Sequence, residues 1–461
     1  MKKVICFIIL FYQTVYSQCY QKISVGDAHV LLLKSDNTIW GFGSSQAGEL
    51  GIQNSDYTLI PSIINNFQEA HEIFGGYLRS FFIKQDGTLW GTGNNSFGCL
   101  GINSNSGSTN VITQIGNASN WLKIVGSPTH TVGLREDGTL WGWGQNNDYE
   151  LGQGVGNNYL SQLTPIQIGT DNHWVDVGVT VSGTLALKDD GTIWGCGLLG
   201  VLVNIGQNTY TTLTQGQSNN WSKICVGGSF LLAQKNDGTL WGWGQNSSGQ
   251  LGMGNFNSVY AFPFQITTDT WKDFATGTTR SYGIKTDGTL WAWGRNQEGQ
   301  LGDGTFENRN LPTQIGTDND WDRIYAAGAT TTVGVKNDGS VWVWGNNNFG
   351  QFGNGTLNQG SNVPLQNTAL CTLGVDGIEN FNGKIAFYPN PAQNEINFAY
   401  ENLPNASVQI IDMNGRVLHQ INTIGLSGLV TLVVNQWEKG IYLCKILTEN
   451  NQTAVKKIII D

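Results

Sequence analysis

A repeat of about fifty residues dominates this chain and limits the folds that it can adopt. Seven tryptophans at matched positions are separated by 50, 51, 53, 47, 50 and 51 residues: Trp40, Trp90, Trp141, Trp194, Trp241, Trp291 and Trp342. The most regular copies read Asp-Gly-Thr-Leu-Trp-Gly-Trp-Gly followed by Gly-Gln-Leu-Gly, as at residues 237–244 and 249–252. A period of this size is typical of repeat architectures such as propellers and solenoids.

Each repeat contains a predicted β-hairpin. Six copies have an Asp-Gly pair between two apolar runs, and the first copy has Asp36-Asn37. These residues adopt the positive φ angles that a tight hairpin turn requires. Four β-rich runs follow one another in each copy, and large rings alternate with glycines on the strand after the turn. We therefore predict an all-β, seven-bladed β-propeller in which the Trp face of one sheet packs on the Gly face of the next.

The repeat resembles that of the regulator of chromosome condensation family. The residues that carry the resemblance are Gly26 with His29 or Gly126 with His130 before a strand, then the Asp-Gly-Thr-Leu-Trp-Gly-Trp-Gly and Gly-Gln-Leu-Gly segments. It covers about residues 19–369 and implies a seven-bladed propeller. The nuclear activity of the founding member, nucleotide exchange on a small GTPase at chromatin, is not implied, because one fold supports many functions.

The ends of the chain predict export. Residues 1–17 combine Lys2 and Lys3 with a short apolar run, as in a secretory signal peptide. Residues 371–384 form a predicted linker after a propeller of residues 18–370. Residues 385–461 contain Tyr-Pro-Asn-Pro, Asn-Gly-Arg and Gly-Ile-Tyr segments. This part is predicted to be a small β-sandwich. It closely resembles the type A C-terminal sorting domain of the type IX secretion system. The resemblance implies that the type IX secretion machinery is a partner and that the protein is secreted or lies on the outer-membrane surface.

Charge argues against nucleic acid as a partner. The formal net charge is −10, whereas proteins that bind polyanions usually carry basic surfaces. Only the apolar run within residues 1–17 approaches a membrane segment, and it is too short to span a bilayer. We therefore expect no nucleic-acid partner and no membrane span.

Ring closure suggests a disulfide. The first blade is predicted to start at Tyr20 without the Pro-containing fourth run, and residues 363–366 (Val-Pro-Leu-Gln) remain after the seventh repeat. If this segment completes blade one, Cys19 and Cys371 come close together, and an oxidising export route permits a bond between them.

Candidate catalytic chemistry is sparse. No Ser-His-Asp order, phosphate-binding loop or calcium loop is evident, and we predict no catalytic, cofactor-binding or metal-binding residues and no cofactor. His29 and His130 occupy equivalent places and are interpreted as hydrogen-bonded residues at strand ends, or as residues lining the channel. Trp143, Trp243, Trp293 and Trp344 are interpreted as core because of their period of two, rather than as platforms for carbohydrate.

Blade four departs from the pattern. The loop after its predicted third strand, which contains Trp194, begins with an apolar run that includes Leu198, Leu199, Val201 and Leu202. The other copies are polar at these positions. The run is either tucked under the fold or an exposed patch that contacts a partner.

Three functions remain open from the sequence. The first is a secreted or cell-surface module that binds an extracellular protein or glycan through a broad propeller face. The second is a protein inhibitor, because a secreted bacterial propeller with this type of repeat blocks β-lactamases. The third is an extracellular enzyme with a site at the mouth of the channel, although the sequence favours a protein that is not an enzyme.

Overall fold

The fold was analysed in a computed structural model. It describes residues 20–35, 37–52, 56–64, 67, 69–156, 161–199, 209–216, 219–328, 330–368, 384–388, 392–401, 405–412, 416–423, 427–447 and 453–460. The chain divides into two compact units, residues 1–370 and 371–461. The predicted signal peptide and most of the predicted linker lie outside the described residues.

In the described residues, the first unit consists of five four-stranded antiparallel sheets and one seven-stranded antiparallel sheet, which follow one another along the chain. Blades one to four contain β1 Tyr20–Val25, β2 His29–Lys34, β3 Ile39–Ser44, β4 Tyr57–Ile63, β5 Ala70–Gly76, β6 Arg79–Lys84, β7 Leu89–Asn94, β8 Ser108–Gln114, β9 Trp121–Gly126, β10 His130–Arg135, β11 Leu140–Gly144, β12 Gln162–Gln167, β13 Trp174–Val179, β14 Gly183–Lys188, β15 Ile193–Leu198 and β16 Thr209–Gln215. Blades five to seven contain β17 Trp221–Val226, β18 Phe230–Lys235, β19 Thr239–Gln245, β20 Val259–Thr276, β21 Arg280–Lys285, β22 Leu290–Gly294, β23 Arg309–Gln314, β24 Trp321–Ala326, β25 Thr331–Lys336, β26 Val341–Gly345 and β27 Ser361–Gln366.

One strand belongs to two blades. The first part of β20 pairs with β19, as in Trp241 opposite Gln265, and its last part pairs with β21, as in Trp271 opposite Lys285. Blades five and six therefore form a single seven-stranded sheet. With this strand counted in both blades, the described chain has the seven blades that the repeat predicts.

Bulky side chains fill the space between blades. Trp143 is fully buried, and a Cβ built on Gly101 of the preceding blade would lie 2.9 Å from its Nε1 atom. Trp293 and Gly252, and Trp344 and Gly302, are related in the same way. The glycine that receives each ring thus lies in the loop after the third strand. The predicted packing of the Trp face of one blade on the Leu and Gly face of its neighbour is confirmed, since Trp143 of blade three shares a core cluster with Leu89 and Leu100 of blade two. The strand glycines themselves are covered by side chains of their own blade, as Gly142 is by Ile168 and Leu151.

The prediction that residues 363–366 supply the fourth strand of blade one is wrong. Blade one has its own fourth strand, β4, which contains Pro61 and pairs with β3. Residues 363–366 lie in β27, which pairs with β26 and completes blade seven. Blades seven and one instead meet through contacts between complete sheets, such as the hydrogen bond from the backbone N–H of Gly355 to the carbonyl of Leu59 at 2.9 Å.

The second unit is a small β-sandwich. One sheet has the order β28 Lys384–Tyr388, β29 Glu395–Glu401 and β32 Ser427–Val433; the other has β31 Val417–Asn422, β30 Ser407–Ile411, β33 Gly440–Leu447 and β34 Thr453–Ile460. Its core includes Ile396, Phe398, Val408, Ile410 and Cys444. The predicted sandwich is therefore observed in this part of the chain.

Candidate recognition surface on the loop face

The propeller has two faces of different construction. On the loop face, the turn between the first and second strands bonds to the loop after the third strand, as in Gln245 N–H to Ser229 O at 2.9 Å. On the turn face, the Asp-Gly turns meet the connections between blades, as in Asp189 N–H to His173 O at 3.0 Å.

The repeated motif builds the turn face. The Asp237 carboxylate accepts a hydrogen bond from the Thr239 hydroxyl at 2.6 Å, and that hydroxyl accepts one from Nε1 of Trp241 at 3.0 Å. The Lys235 ammonium lies 4.0 Å from the centre of the Trp241 ring, which attracts a cation through its electron-rich face. An Asp-Gly-Thr-Leu-Trp segment is therefore a chain of contacts that fixes one turn.

The cation and the indole bond recur in every blade. The pairs are Lys34 and Trp40, Lys84 and Trp90, Arg135 and Trp141, Lys188 and Trp194, Lys235 and Trp241, Lys285 and Trp291, and Lys336 and Trp342. This pairing was not predicted, although a Lys or Arg stands six residues before each of the seven anchoring tryptophans. The recurring Lys and Arg side chains of the turn face are therefore engaged in contacts within their own blades.

Buried asparagines hold the loops of the other face. The side-chain oxygen of Asn246 accepts the backbone N–H of Leu251 at 2.9 Å, and its amide donates to the carbonyl of Asn255 at 3.0 Å. Asn95, Asn296 and Asn347 make the same two kinds of bond in their own blades. These residues were not predicted, although an Asn two residues after the Trp-Gly-x-Gly pattern was visible in the sequence. Each buried asparagine holds the base of its loop, so the sequence of the outer part of the loop can differ between blades.

Arginines at the start of second strands fasten neighbouring blades. The Arg79 guanidinium is buried and donates to the carbonyl oxygens of Ser127 and Pro128 in blade three, both at 2.9 Å. Arg280 donates in the same way to Gly328 at 3.1 Å and Thr331 at 2.8 Å in blade seven. Burial lowers the pKa of Arg79 below its ordinary value. These cations satisfy backbone carbonyls and are not displayed to a ligand.

His29 and His130 occupy the equivalent place in blades one and three and are also buried. Ser80 donates to the carbonyl of Glu49 at 2.6 Å and lies 3.0 Å from Nε2 of His29. A hydroxyl has one proton, so Nε2 must donate to Ser80. Burial lowers the pKa of His29 to about 4, against the opposing charge of Glu49. Both residues are therefore hydrogen-bonded structural histidines, as one of the two interpretations expected.

The His130 site repeats this arrangement. Its Nδ1 atom lies 2.8 Å from the Ser127 hydroxyl, and its Nε2 atom lies 3.3 Å from the Thr184 hydroxyl of blade four. Burial, and then the positive charge of Arg79, lower the pKa of His130 to about 3. The ring is thus neutral near pH 7 and joins blades three and four.

Glu150 is a buried carboxyl beside this site. One of its oxygens accepts the backbone N–H of Asp148 at 2.9 Å, and the other, Oε1, has no hydrogen-bond partner among the described residues. Burial raises the pKa of Glu150 to about 7. Blades five and six have Gln250 and Gln300 at this position, with the same bond to the backbone. Glu150 therefore replaces a neutral amide of the loop framework.

Charged residues of alternating sign line the channel. The first strands of successive blades contact one another around the ring and are thus the innermost. The residues at matched positions on them are Lys22, Glu72, Lys123, Asp176, Lys223, Asp273 and Arg323. Lys123 pairs with Asp176 at 2.5 Å, Lys223 pairs with Asp273 at 2.8 Å, and Lys22 pairs with Glu72. This ring of charges was not predicted, because the residues fall into one series only when the first strands of the repeats are aligned.

The candidate patch in blade four is only partly exposed. The side chain of Leu198 is 46% exposed, whereas that of Leu199 is 5% exposed and belongs to a core cluster with Leu185 and Tyr210. The expectation that Leu199 is displayed is wrong, because its side chain packs over Gly183, at the start of the second strand. Val201 and Leu202 lie outside the described residues. Contact of Leu198 with a partner stays a prediction.

The predicted disulfide stays a prediction as well, because Cys19 and Cys371 both lie outside the described residues. Among the described cysteines, Cys99, Cys196, Cys225 and Cys444 are free thiols. In the same part of the chain, no group of three His, Cys, Asp or Glu side chains converges in a way that could hold a metal ion.

Charge is distributed unevenly between the faces. The loop-face segments of blades two, five and seven contain no charged residue, as in residues 95–107 and 246–258. Blades one and three carry acidic residues there, such as Asp27 and Asp148, and blade six carries ion pairs, since Arg295 pairs with Glu298 at 2.8 Å and Arg309 pairs with Asp303 at 2.6 Å. Most of this face therefore offers amide, hydroxyl and apolar groups to solvent.

Comparisons with known families agree with this architecture. The model described as Regulator of chromosome condensation (RCC1) repeat matches residues 137–187, 237–282 and 287–335, and a second model of that repeat matches residues 123–150, 221–250, 271–300 and 326–351. The Secretion system C-terminal sorting domain matches residues 386–461. The chain combines an RCC1-repeat propeller with a secretion sorting domain.

Solved structures similar to this RCC1-repeat chain share its fold at low identity. Yeast RCC1 (Prp20) in complex with Kap60 is 18% identical with a TM-score of 0.63, and the match covers 80% of this chain and 89% of that chain. Human WBSCR16 is 20% identical with a TM-score of 0.59, covering 67% and 85%. At this level of identity the likeness shows the propeller fold alone.

Curated relatives match only short parts of the RCC1-repeat propeller. The Caenorhabditis elegans homolog of the X-linked retinitis pigmentosa GTPase regulator is 32% identical over 90 residues, which is 17% of this chain and 6% of that protein. The ultraviolet-B receptor UVR8 of Arabidopsis thaliana is 40% identical over 91 residues, which is 19% of this chain and 20% of that protein. This chain thus covers a small part of either relative.

The sorting domain gives the location. It indicates secretion or attachment to the outer-membrane surface by the type IX secretion machinery. Among the described residues, no helix has the length and apolar character needed to cross a membrane. The chain is therefore a secreted or surface-attached RCC1-repeat propeller.

Proposed function

We propose that this propeller is an extracellular binding module that recognises a protein or glycan through its loop face. The observation that carries the proposal is the contrast between the two faces. On the turn face, the recurring residues of the repeat bond to one another, as Asp237, Thr239, Trp241 and Lys235 do. On the loop face, the buried asparagines and the Gly-x-Leu-Gly segments recur, whereas the rest of each loop differs in sequence from blade to blade. Varied loops on a rigid scaffold are where binding sites of such proteins usually lie.

Exposed apolar side chains support the same face. Val181 and Leu198 of blade four, Phe256 of blade five and Val155 of blade three are exposed on loop-face segments or next to them. Apolar side chains are also exposed on the fourth strands, as at Ile60 and Phe262, so those of the loop face count only as groups that a partner can bury. An inhibitor of an extracellular enzyme would be one form of such a binding module.

The enzyme alternative has less support. Its expected site is the mouth of the channel, where Glu72, Asp176 and Asp273 each pair with a lysine. Asp176 and Asp273 also accept backbone N–H groups of the following blade, at 3.3 Å from Ile224 and 3.1 Å from Ile324. Carboxylates held in this way stabilise the ring of blades, and they are poor candidates for acid or base catalysis.

Site-specific crosslinking tests the proposal. The full chain carries a photoreactive residue in place of Val181 on the loop face or of Asn236 on the turn face, and each protein is irradiated with the surface fraction of the producing cells. We expect a crosslinked macromolecule from position 181 and none from position 236. Crosslinking from position 236 alone would assign recognition to the turn face and contradict the proposal.

A further inference from the structure

Three bulky residues on two consecutive blades adopt a backbone conformation that normally belongs to glycine. Leu78 and Phe97 in blade two and Tyr149 in blade three have φ angles of 51°, 62° and 64°. All three are on the loop face. Large residues rarely have positive φ, and strained positions of this kind are enriched at functional sites.

Tyr149 replaces a glycine of the repeat. Gly48, Gly98, Gly249, Gly299 and Gly350 occupy the matched position elsewhere, all with positive φ. In those blades a Cβ would come within 2.4 to 2.6 Å of the fourth strand of the next blade. Tyr149 precedes the irregular blade four, whose fourth strand contains the small residues Thr211 and Thr212. The chain thus has an aromatic ring where the fold favours no side chain.

Phe97 is displayed by a second departure from the repeat. In other blades, the residue at this position donates its N–H to a Glu or Gln two residues later, as Ser248 does to Gln250 at 2.9 Å. Blade two has Cys99 there, and the segment Ser96–Gly98 forms a short turn instead. The Phe97 side chain is 45% exposed, and Tyr77, beside Leu78, is 38% exposed. Both rings therefore face solvent on one blade.

The surroundings of these rings are polar without being charged. The loop-face segments of blade two, residues 77–78 and 95–107, contain no charged residue and are rich in Asn, Ser and Gly. In blade three, the segments 127–129 and 145–156 contain Asp148 and the buried Glu150 as their charged residues. Amide groups both donate and accept hydrogen bonds, and aromatic rings offer flat apolar surfaces. Sugar hydroxyls and the C–H faces of sugar rings match these two kinds of group.

We propose that Tyr77, Phe97 and Tyr149 form a binding site for a neutral polysaccharide on the loop face of blades two and three. The proposal rests on the proposed binding function and specifies its site and ligand class. The rings stack on sugar faces, the neighbouring amides bond to hydroxyls, and the lack of charge favours a neutral polymer over an acidic one. Phe97 and Tyr149 have positive φ themselves, and Tyr77 precedes Leu78, which also has positive φ.

Affinity electrophoresis of the full chain in gels that contain dextran, mannan, laminarin or the anionic polymer alginate tests this site. We expect retardation by at least one of the neutral polymers and none by alginate. Phe97→Gly and Tyr149→Gly should each weaken binding at least tenfold, while the melting temperature stays equal or rises because glycine adopts these φ angles without strain. Phe306→Ser is the matched control, since Phe306 is 60% exposed among the charged residues of blade six. It should bind as the unaltered chain does.

Several results would overturn the proposal. Normal binding by both glycine variants would contradict the assignment of the site, and lower melting temperatures in both would show that the rings pack in the fold. Retardation by alginate, or by none of the polymers, would contradict the assignment of a neutral polysaccharide as the ligand. If no polymer binds but a surface protein crosslinks to position 181, the polysaccharide site fails and the proposed binding function stands. If neither occurs, both fail.

Discussion

The hydroxyl of Tyr20 donates a hydrogen bond of 2.9 Å to the carbonyl oxygen of Gly339, across 319 positions of the chain. This bond joins the first strand of blade one to the Asp-Gly turn of blade seven. At other contacts between neighbouring blades, here called seams, a backbone hydrogen bond lies at the matched place, as in Trp271 N–H to Gly238 O at 3.0 Å. Burial raises the pKa of Tyr20, so its hydroxyl remains a donor throughout the neutral range.

Tyr20→Phe should therefore weaken the closing seam. It removes the donor from a buried carbonyl, and we expect a loss of about 1–2 kcal/mol in the free energy of unfolding. Urea unfolding followed by tryptophan fluorescence measures the change. Tyr77→Phe, which removes an exposed hydroxyl, should have little effect on stability, and equal losses in the two variants would contradict the role of the seam bond.

The buried histidines should make the propeller sensitive to acid. The pKa values of His29 and His130 are about 4 and about 3 in the folded chain, below the ordinary value of 6.5. Below pH 6.5 the unfolded chain takes up protons that the folded chain refuses, so stability falls by up to about 1.4 kcal/mol per pH unit for each histidine until its folded pKa is reached. His130→Gln should flatten this slope between pH 6 and 4 in denaturant titrations. The exposed His173→Gln should not flatten it.

Glu150 has the opposite dependence. Its pKa of about 7 in the folded chain lies above the ordinary value of 4.5. The contribution of Glu150 to the free energy of unfolding is therefore most favourable below pH 4.5, and it is lost as the pH rises to 7. Glu150→Gln restores the residue of blades five and six and should stabilise the chain at pH 8 by on the order of 2 kcal/mol relative to pH 4. Thermal unfolding at the two pH values measures this. Exposed Glu136→Gln is the control, and a pH-independent effect of Glu150→Gln would contradict the assignment.

The hydroxyl at the centre of each turn motif should be measurable on its own. Thr239→Val keeps the shape of the side chain but removes the bonds to Asp237 and Trp241. We expect a loss of about 1–2 kcal/mol. Thr268→Val changes an exposed Thr in β20 and should be nearly neutral in the same urea titration. If the two variants are equally stable, the motif is not explained by this chain of bonds.

Two adjacent leucines of blade four should respond differently to a charge. Leu199→Asp places a carboxylate in the cluster with Leu185 and Tyr210 and should cost about 3 kcal/mol or more. Leu198→Asp changes an exposed side chain and should stay within about 0.5 kcal/mol. Differential scanning calorimetry compares the two. Of this pair, only Leu198→Asp can report on partner binding without unfolding, and a large loss of stability there would place Leu198 in the core as well.

Local repetition made much of the fold predictable. The spacing of the anchoring tryptophans gave the number of blades, and the Asp-Gly pairs gave the hairpins, because both depend on short-range chemistry. The burial of Trp143, Trp243, Trp293 and Trp344 follows from a period of two and is confirmed. The sorting domain was visible in three short segments.

Properties that depend on distant parts of the chain were harder to predict. The closing seam was assigned incorrectly, because the fourth strand of blade one has a sequence, Tyr57–Ile63, less regular than that of β27. The positive φ angles of Phe97 and Tyr149 were not predicted, because neither residue type favours this conformation and Tyr149 stands where the repeat has a glycine. Burial separated Leu198 from Leu199, although both belong to one apolar run.

The self-contained blades have a consequence for the order of the chain. Since each sheet except the joined pair of blades five and six is made from consecutive residues, no blade depends on a segment from the far end of the propeller. New termini opened in a connection on the turn face, such as that between blades two and three, would interrupt no sheet. Circular permutation of the repeats should therefore preserve every blade and shift only the place where the ring is left covalently open.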